Sequence, residues 1–467
     1  MSELKLKDNS FHKIPRQEGV SEEADKLEYE NLDRKIKDGD ITYLHKLSEE
    51  LNYQLQNKEF LKKNLYLFGE DYEHNTDDGL FVVRGWDKDS LTIETGNLVG
   101  YVSTDKFKIN ISSRFGDDFL KYLLCYYAEG MLEFSDKGGI ANNGLIDWVI
   151  VFLWKMALKK AYRLGIPKLY VRQQEKRHSV KGNINILDYS IYKGIDGKFL
   201  CDFYQYEYDN PVTRLIAYTF TKIDSKLLKD SLKLKNTFET CVGGKKTTLS
   251  ACLNTQNINN PYYFEYNKVI SLSKNILRKK FGDITDSSSI SSAFLFDMSM
   301  LFEYYIRKVL KNGELNLLPK NDKSMTISRG LGKNDDRHLY PDIIIDKGNN
   351  SIEIYDVKYK HFDNVYGVKR EDLFQLHTYV LHLSTKYKIE KCGFIYPRLD
   401  KHDNNNGTDK ENIIHHPNYK NGIPFRVVFL NIPQVALYDG KTANSLKDSY
   451  EKIMKEREKD FVNRIST

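Results

Sequence analysis

The sequence predicts an α/β protein in which a mixed α+β N-terminal part precedes a C-terminal domain with a central mixed sheet and flanking helices. Two observations lead to this class. Short alternating apolar runs typical of strands occupy residues 78–113, and stretches with helical spacing follow them. The last part of the chain then has the order helix, hairpin, helix and strand, which packs helices against a small sheet.

Four successive regions are expected along the 467 residues. The first is a helical, partly flexible arm, in which residues 1–25 are polar and aperiodic. A small β-rich module, a candidate docking region for a partner, is followed by a mixed α/β region and by the C-terminal domain. The regions cover residues 1–75, 76–140, 141–285 and 286–467.

Helical spacing predicts several helices within these regions. They cover residues 116–133, 144–164, 262–281 and 289–312, and a further helix begins at Asp209 or Asn210 with Pro211 in its first turn. Two polar stretches lack clear periodicity. Residues 230–260 are expected to be an irregular connection, and residues 400–423 an exposed insertion in the C-terminal domain.

The composition indicates a folded protein without a membrane anchor. Hydrophobic residues make up 40%, aromatic residues 13%, and prolines number only 10, which excludes a disordered or proline-rich chain. The net charge of +6 suits a polyanionic partner only where it is clustered. The five cysteines form no CxxC pair and no apolar stretch is long enough for a membrane span, so we expect a cytoplasmic protein with reduced thiols.

The segment YPDIIIDKGNNSIEIYDVKYK at 340–360 contains the residues most suggestive of chemistry. Asp356 and Lys358 are two residues apart and share one face of a strand. A hairpin turn centred on Gly348 would put Asp342 diagonal to Asp356 on that face, a separation at which two carboxylates can bind one hard cation. The alternative is an Asp–Lys ion pair without a catalytic role, because short charge patterns recur by chance.

The order Pro341-Asp342, a gap of 13 residues and Asp356-x-Lys358 resembles the signature of PD-(D/E)XK nucleases. The flanking segments FDMSMLFEYYIRKVL and DLFQLHTYV resemble the nuclease domain of McrC-type restriction subunits and of LlaJI-type restriction endonucleases. NLVGYVSTDKFKINISSRFGDDFLKYLL, SVKGNIN and YDNPVTRLIAYTF are also similar to McrC-type sequences. The resemblance covers about residues 90–400.

The resemblance implies a C-terminal domain with the PD-(D/E)XK restriction-endonuclease-like fold and Mg²⁺-dependent hydrolysis of DNA phosphodiester bonds, with Mn²⁺ able to substitute. It implies that Asp342, Asp356 and the backbone carbonyl of Val357 bind the metal, and that Lys358 positions or deprotonates the attacking water. It also places Glu303 where related nucleases keep an acid that contacts the metal through water.

For Glu303, an ion pair with Arg307 on the helix surface is an equal alternative. The resemblance sets Gln375 and Tyr379, which share a helix face, beside the active site as supporting residues. Basic side chains in two clusters are candidates for DNA phosphate contacts, and an ordinary solvated surface is the alternative for each cluster. They are Arg329, Lys333, Arg337 and Lys360 around the hairpin, and Arg172, Lys176 and Arg177 in the middle region.

These residues predict the DNA endonuclease subunit of a restriction system for phage defence, a type II or type IV restriction-like endodeoxyribonuclease that acts on double-stranded DNA. CVGGKKTTL at 241–249 departs from a phosphate-binding loop, so no nucleotide site is predicted, and NTP hydrolysis is assigned to a separate AAA+ partner of the McrB type. Two copies of the chain are expected at the cut. The alternatives are a stand-alone repair or recombination nuclease and a non-catalytic DNA-binding or ring-activating adaptor.

Overall fold

The structure is a computed structural model that describes most of the chain. The described residues are 2–15, 30–31, 38–55, 79–86, 90–104, 106–127, 145–186, 197–244, 247–281, 290–319, 326–328, 337–338, 340–399, 409–416, 419–434 and 443–467.

The chain divides into two compact units, each assembled from separate segments. Residues 102–107 and 137–294 contribute to the first unit, and residues 2–101, 108–136 and 295–467 to the second. The four predicted regions and their boundaries stay a prediction.

The N-terminal elements are short strands and two helices. They are β1 (Ser2–Lys7), β2 (Phe11–Pro15), β3 (Glu30–Asn31), α1 (Asp38–Gln54), β4 (Phe81–Trp86), β5 (Ser90–Thr95), β6 (Leu98–Thr104), β7 (Phe107–Ser112) and α2 (Asp117–Tyr127). Strands β3, β2, β5 and β4 form one sheet in that order.

Strands β1 and β2 lie in residues 2–15, where a loose segment was expected. Leu4, Leu6 and Ile14 are buried, whereas Lys5 and Phe11 are exposed. The period of two that marks a half-buried strand is therefore present, but polar and charged residues outnumber the apolar ones in residues 2–15 and hide it. Helix α1 lies in the predicted N-terminal arm, and residues 56–78 of that arm lie outside the described residues.

The first unit is mainly helical with one small sheet. Its elements are α3 (Leu145–Tyr162), β8 (Leu169–Arg177), β9 (Asn183–Ile184), β10 (Phe199–Glu207), α4 (Pro211–Lys222), α5 (Leu232–Val242), α6 (Leu249–Leu253) and α7 (Tyr266–Phe281). Strand β10 lies between β8 and β9 and is antiparallel to both.

Two helix predictions in this unit have different outcomes. The helix predicted from Asp209 or Asn210, with Pro211 in its first turn, is confirmed as α4, which begins at Pro211 with Asn210 as its cap. The Asn210 side chain accepts hydrogen bonds from the first-turn N–H groups of Val212 and Thr213, and the Thr213 hydroxyl accepts one in return. The irregular connection expected at 230–260 is wrong, since α5 and α6 lie there. Helix α5 buries only Phe238 and Val242, and this sparse spacing explains why no helix was predicted.

The remaining elements begin with β11 (Ile290–Asp297) and α8 (Met298–Asn312). They continue with β12 (Thr326–Ser328), β13 (Arg337–His338), β14 (Ile343–Gly348), β15 (Ser351–Val357), α9 (Arg370–Leu383), β16 (Lys388–Leu399), β17 (Lys410–His416), β18 (Tyr419–Ile432) and α10 (Ala443–Ser466). The helix predicted over 289–312 is thus a strand followed by a helix. The change occurs at Asp297, whose side chain caps α8 by accepting from the N–H groups of Ser299 and Met300.

A five-stranded mixed sheet forms the C-terminal part of the second unit, in the order β14, β15, β16, β18, β17. The two central neighbours, β15–β16 and β16–β18, are parallel, and the outer pairs are antiparallel. Helix α9 packs on one face through Leu376, Val380 and Leu383, in a core shared with Ile352 and Ile354. The predicted α/β class is therefore confirmed.

Part of the predicted insertion at 400–423 belongs to this sheet, because β17 pairs with the first half of β18. Residues 400–408 and 417–418 lie outside the described residues. All five cysteines are free thiols. Among the residues that the structure describes, no helix has the length and apolar character needed to cross a membrane.

Candidate active site

The hairpin of β14 and β15 brings the two predicted acids together. Ile344 pairs with Ile354 and Ile343 with Tyr355, so the same register, continued by one residue, puts Asp342 opposite Asp356. The two carboxylates therefore lie on one face of the sheet, next to each other rather than on a diagonal.

The predicted register of the hairpin is wrong by two residues. A turn centred on Gly348 would pair Ile345 with Ser351, but Ile345 pairs with Glu353. The turn instead lies at Asn349 and Asn350, which both have positive φ (51° and 59°) as in hairpin turns of the primed types. A shift of two residues keeps every side chain on its original face, so the prediction that the acids share a face survives the error.

Asp356 is buried at the end of β15, with a relative exposure of 2%. Burial, and then the neighbouring carboxylate of Asp342, raise the pKa of Asp356 to about 7. Asp342 is only partly buried, and its Oδ2 accepts a hydrogen bond of 2.8 Å from the backbone N–H of Val357. That bond ties the loop before β14 to the end of β15 at the level of the acids.

Lys358 lies between two carboxylates and an amide. Its Nζ is 2.7 Å from Oδ2 of Asp356 and 3.2 Å from Oδ1 of Asp372, and it donates a hydrogen bond of 2.9 Å to Oε1 of Gln375. Burial alone would lower the pKa of Lys358, but the two carboxylates outweigh it and raise that pKa above its ordinary value. The side chain is therefore an ammonium group at neutral pH.

Helix α9 contributes three side chains to this centre. Gln375, which accepts from Lys358, donates from Nε2 to the hydroxyl of Tyr379 at 2.7 Å. The prediction placed these two residues beside the acids. Tyr379 is buried, and burial followed by the charges of Asp356 and Asp342 raises its pKa, so the hydroxyl stays protonated.

Asp372 is the residue that the sequence analysis missed. It lies in the first turn of α9 and forms ion pairs with Lys358 and Lys360. Burial would raise the pKa of Asp372, but the hydrogen bond from Lys360 and the charge of Lys358 hold it below its usual range. Asp372, Gln375 and Tyr379 have the spacing i, i+3, i+7 of one helix face, and this spacing was the signal available in the sequence.

Glu303 lies on α8 and is partly buried. Its charge is the smallest of the contributions that raise the pKa of Tyr379. Arg307, one helical turn later, donates hydrogen bonds to the backbone carbonyls of Asp342 and Leu318. The role of Glu303 stays a prediction, and Arg307 stabilises the loop that carries Asp342.

The donor set of this centre fits a small hard cation. Nζ of Lys358 lies 2.7 Å from the buried Oδ2 of Asp356, and a carboxylate has further acceptor positions at which it can bind a cation. Within the described part of the chain, no cluster of three or more His, Cys, Asp or Glu side chains could hold a metal ion. Mg²⁺ is commonly bound by one or two carboxylates together with water, which is what Asp342 and Asp356 offer.

The basic residues predicted near the hairpin are only partly described. Arg329 and Lys333 lie outside the described residues, and Arg337 begins β13. The ammonium of Lys360 pairs with Asp372 at the candidate site. Burial lowers the pKa of Lys360, although the hydrogen bond that Lys360 donates to Asp372 opposes this effect. Its contact to DNA stays a prediction.

The second basic cluster lies on β8 in the first unit. Arg172, which is well exposed, forms an ion pair of 2.7 Å with Asp202 on β10, and Arg177 pairs with Glu175 at 2.9 Å. Lys176 is exposed on the same strand. These side chains are accessible, as a phosphate contact requires, and their DNA-binding role is likewise untested.

Comparison with known proteins gives a family match. A family model described as "McrBC 5-methylcytosine restriction system component" matches residues 93–397, which is more than half of the chain and includes every residue of the candidate centre. No curated protein matches the sequence.

Two solved assemblies contain chains that are similar to this one. One is the refined half-complex from the tetradecameric assembly of Thermococcus gammatolerans McrB AAA+ hexamers with bound McrC, with 16% identity, 97% of this chain and 100% of that chain covered, and a TM-score of 0.47. The other is the cryo-EM structure of the Thermococcus gammatolerans McrBC complex, with 16% identity, 67% and 88% coverage and a TM-score of 0.34.

Proposed function

Because this chain belongs to the family of McrBC 5-methylcytosine restriction system components, we propose that it is the nuclease subunit of a restriction system. In this proposal it hydrolyses phosphodiester bonds of double-stranded DNA at a Mg²⁺ site made by Asp342 and Asp356. The C-terminal sheet and its helices would then be a PD-(D/E)XK nuclease domain.

One observation carries the proposal. A buried acid, Asp356, lies opposite a second acid, Asp342, and its carboxylate is within 2.7 Å of the ammonium of Lys358. A structural ion pair needs one acid and one base, and placing a second, partly buried carboxylate beside a buried one is costly unless a further cation compensates it. The raised pKa of Asp356 expresses that cost.

The residues of the centre have separate roles in this reaction. Mg²⁺, when bound, stabilises the negative charge that develops on the phosphate oxygens. Asp342 and Asp356 would hold it, together with the carbonyl of Val357. Lys358 is charged at neutral pH, so it orients the attacking water and stabilises negative charge rather than removing a proton.

Asp372 and Gln375 act on Lys358. They contact its Nζ at 3.2 Å and 2.9 Å respectively. Tyr379 in turn holds the amide of Gln375 through its hydroxyl. A side chain with four rotatable bonds is thereby restricted to one position, which is the condition for efficient catalysis by a positioned charge.

We further propose that the chain works with an AAA+ NTPase of the McrB type, because the matched family is described as a component of the McrBC restriction system. The chain contains no Walker A motif, so coupling to nucleotide hydrolysis would come from that partner. The description of the family also makes DNA with 5-methylcytosine the first substrate to compare with unmodified DNA.

Plasmid cleavage by the full chain tests this proposal. Methylated and unmethylated plasmids are incubated with wild type or Asp356→Asn, with Mg²⁺ or EDTA, and with or without GTP or ATP and the AAA+ partner. Asp346→Asn is the matched control, since Asp346 lies at the far end of the same hairpin. We expect Mg²⁺-dependent cutting that requires partner and nucleotide, persists in the control and is lost in Asp356→Asn.

Other outcomes would select a different function. Cutting without partner or nucleotide would indicate a stand-alone nuclease. If wild type and Asp356→Asn both fail to cut but stimulate nucleotide hydrolysis by the partner equally, the catalytic assignment is wrong and the chain is an adaptor.

A further inference from the structure

A buried arginine far from the hairpin in sequence contacts the chain segment that carries Lys358. Arg114 lies in the turn between β7 and α2, and its side chain is buried. Its Nη2 donates a hydrogen bond to the backbone carbonyl of Tyr359, the residue directly after Lys358. The guanidinium carbon also lies 4.8 Å from the centroid of the Tyr359 ring, within the range of a cation–π contact.

The segment held in this way leaves the sheet at the candidate site. Strand β15 ends at Val357, and the N–H of Lys358 still donates to the carbonyl of Ile395 at 2.9 Å. The N–H of Lys360 then donates back to the carbonyl of Lys358 at 3.0 Å, so the backbone bends at Tyr359. The carbonyl of Tyr359 therefore accepts its hydrogen bond from Arg114 instead of from the backbone of a neighbouring strand.

Tyr359 is also held through its side chain. Its hydroxyl is 2.8 Å from Oγ of Ser113, the neighbour of Arg114, and its ring packs edge-on against Phe115 with centroids 5.1 Å apart. On another side the ring contacts Phe302, which precedes Glu303 on α8. Consecutive residues of one turn thus fix both the carbonyl and the hydroxyl of the residue next to Lys358.

Arg114 is itself fixed by the loop between β1 and β2. Its backbone N–H donates to Oδ1 of Asp8 at 2.6 Å, and its Nη1 donates to the carbonyl of Asn9 at 3.2 Å. The N-terminal strands therefore have a direct hydrogen-bonded connection to the bend after β15. The guanidinium of Arg114 thus donates hydrogen bonds to two backbone carbonyls from segments that are distant in sequence.

We propose that Arg114 is a positioning residue for Lys358. By holding the bend at Tyr359 it fixes the backbone from which the Lys358 side chain reaches Asp356. The N-terminal strands and the turn at Ser113 and Arg114 are thereby part of the nuclease centre. This inference rests on the proposed nuclease function.

Arg114→Lys tests the inference in the full chain, under the conditions in which wild type cuts DNA. Lysine keeps the charge but cannot donate to both carbonyls in the planar geometry of arginine. Because small displacements of a catalytic group are costly, we expect kcat to fall about 10- to 100-fold. KM for DNA should stay within about twofold, since no DNA contact is removed.

Arg426→Lys is the matched control. Arg426 is also buried in the second unit and donates from Nη1 to a backbone carbonyl, that of Arg464, at 3.0 Å. If the effect of Arg114→Lys came from lost stability alone, both variants would reduce activity alike. Thermal unfolding of both proteins gives the comparison of stability.

Amide hydrogen exchange without DNA gives a second measurement that does not depend on activity. We expect exchange in the segment Lys358–Lys360 to be faster in Arg114→Lys than in wild type, and unchanged in Arg426→Lys. Unchanged exchange together with a kcat within about twofold of wild type would overturn the inference. If wild type cuts no DNA, the proposed function fails, and the exchange of this segment alone decides whether Arg114 fixes it.

Tyr359→Phe serves if Arg114→Lys does not fold. This change removes only the hydroxyl that contacts Ser113 and retains the carbonyl bonded to Arg114. One of the two restraints is lost, so we expect kcat to fall about threefold at unchanged KM. An unaltered kcat together with unchanged hydrogen exchange in Lys358–Lys360 would contradict the inference that the turn at Ser113 and Arg114 positions Lys358.

Discussion

Nζ of Lys358 lies 2.7 Å from Oδ2 of Asp356, its neighbour two residues earlier at the end of β15. A second acid, Asp342, lies across the hairpin from Asp356. Asp372 and Gln375 of helix α9 contact the same Nζ. The ammonium is thus surrounded by acceptors and kept charged. Replacing Lys358 by Met removes its charge, whereas replacing it by Arg keeps the charge and changes the geometry, so the two variants test these contributions separately.

Lys358→Met is expected to lower the cleavage rate by about 100-fold or more, because the positioned charge at the scissile phosphate is lost. It should also lower the free energy of unfolding by about 3 kcal/mol near neutral pH, since the buried acids lose their partner. Lys358→Arg keeps the charge and should recover most of the stability but little of the activity. Single-turnover cleavage and urea unfolding of wild type, Lys358→Met and Lys358→Arg measure both effects. Equal cleavage rates of Lys358→Met and wild type would contradict the prediction.

Asp372→Asn is expected to lower kcat about tenfold with little change in KM for DNA, because one of the groups that orient Lys358 loses its charge. Glu371→Gln is the control, since Glu371 is the exposed neighbour of Asp372 in the same helical turn. Steady-state kinetics of both variants measures the difference. A rise in KM at unchanged kcat would assign Asp372 to DNA binding rather than to Lys358.

Glu303→Gln distinguishes the two predictions made for this acid. If its carboxylate contacts the metal through water, the Mg²⁺ concentration for half-maximal cleavage should rise about tenfold, with little effect on stability. The control is Glu314→Gln, just beyond the end of α8. A Mg²⁺ requirement that does not change, measured by cleavage at varied Mg²⁺, would leave Glu303 with a structural role.

Asp8 makes the stability of the second unit depend on pH. Burial raises the pKa of Asp8 to about 6, although Arg114 and its N–H oppose the shift. Since the pKa is higher in the folded state than its ordinary value of 3.8, the stabilising contribution is complete at low pH and is lost as the pH rises through about 6. The folded protein therefore tolerates the neutral carboxyl better than the charged one.

Asp8→Asn removes this titration. Its free energy of unfolding relative to that of wild type should therefore rise by about 1 to 2 kcal/mol when the pH is raised from about 5 to about 7.5. Urea unfolding at the two pH values measures the gain, and Asp346→Asn, a partly exposed acid, serves as the control. A difference between Asp8→Asn and wild type that does not vary with pH would show that Asp8 titrates normally.

The sequence predicted the hairpin of the candidate site because its signal is local and has a period of two. Asp342, Asp356 and Lys358 stay on one face even though the turn lies later than expected, since a shift of two residues preserves the face. Gln375 and Tyr379 were predicted together for a similar reason, and Asp372 has the same helical spacing but was missed.

The contact between Arg114 and Tyr359 could not be predicted in this way. The two residues are 245 positions apart, and no periodicity connects a turn after β7 with a bend after β15. The strands at 2–15 were missed because charged and polar side chains separate their few apolar residues. Their pairing with distant strands, rather than local propensity, stabilises them.

Binding of Mn²⁺ to the purified chain, measured by electron paramagnetic resonance without DNA or partner, tests the central claim most directly. We predict that wild type and Asp346→Asn bind Mn²⁺ at a site for which Mg²⁺ competes. Asp342→Asn and Asp356→Asn should each lose that site while remaining folded. Equal Mn²⁺ binding by all four proteins, or none by wild type, would contradict a metal centre at these two carboxylates.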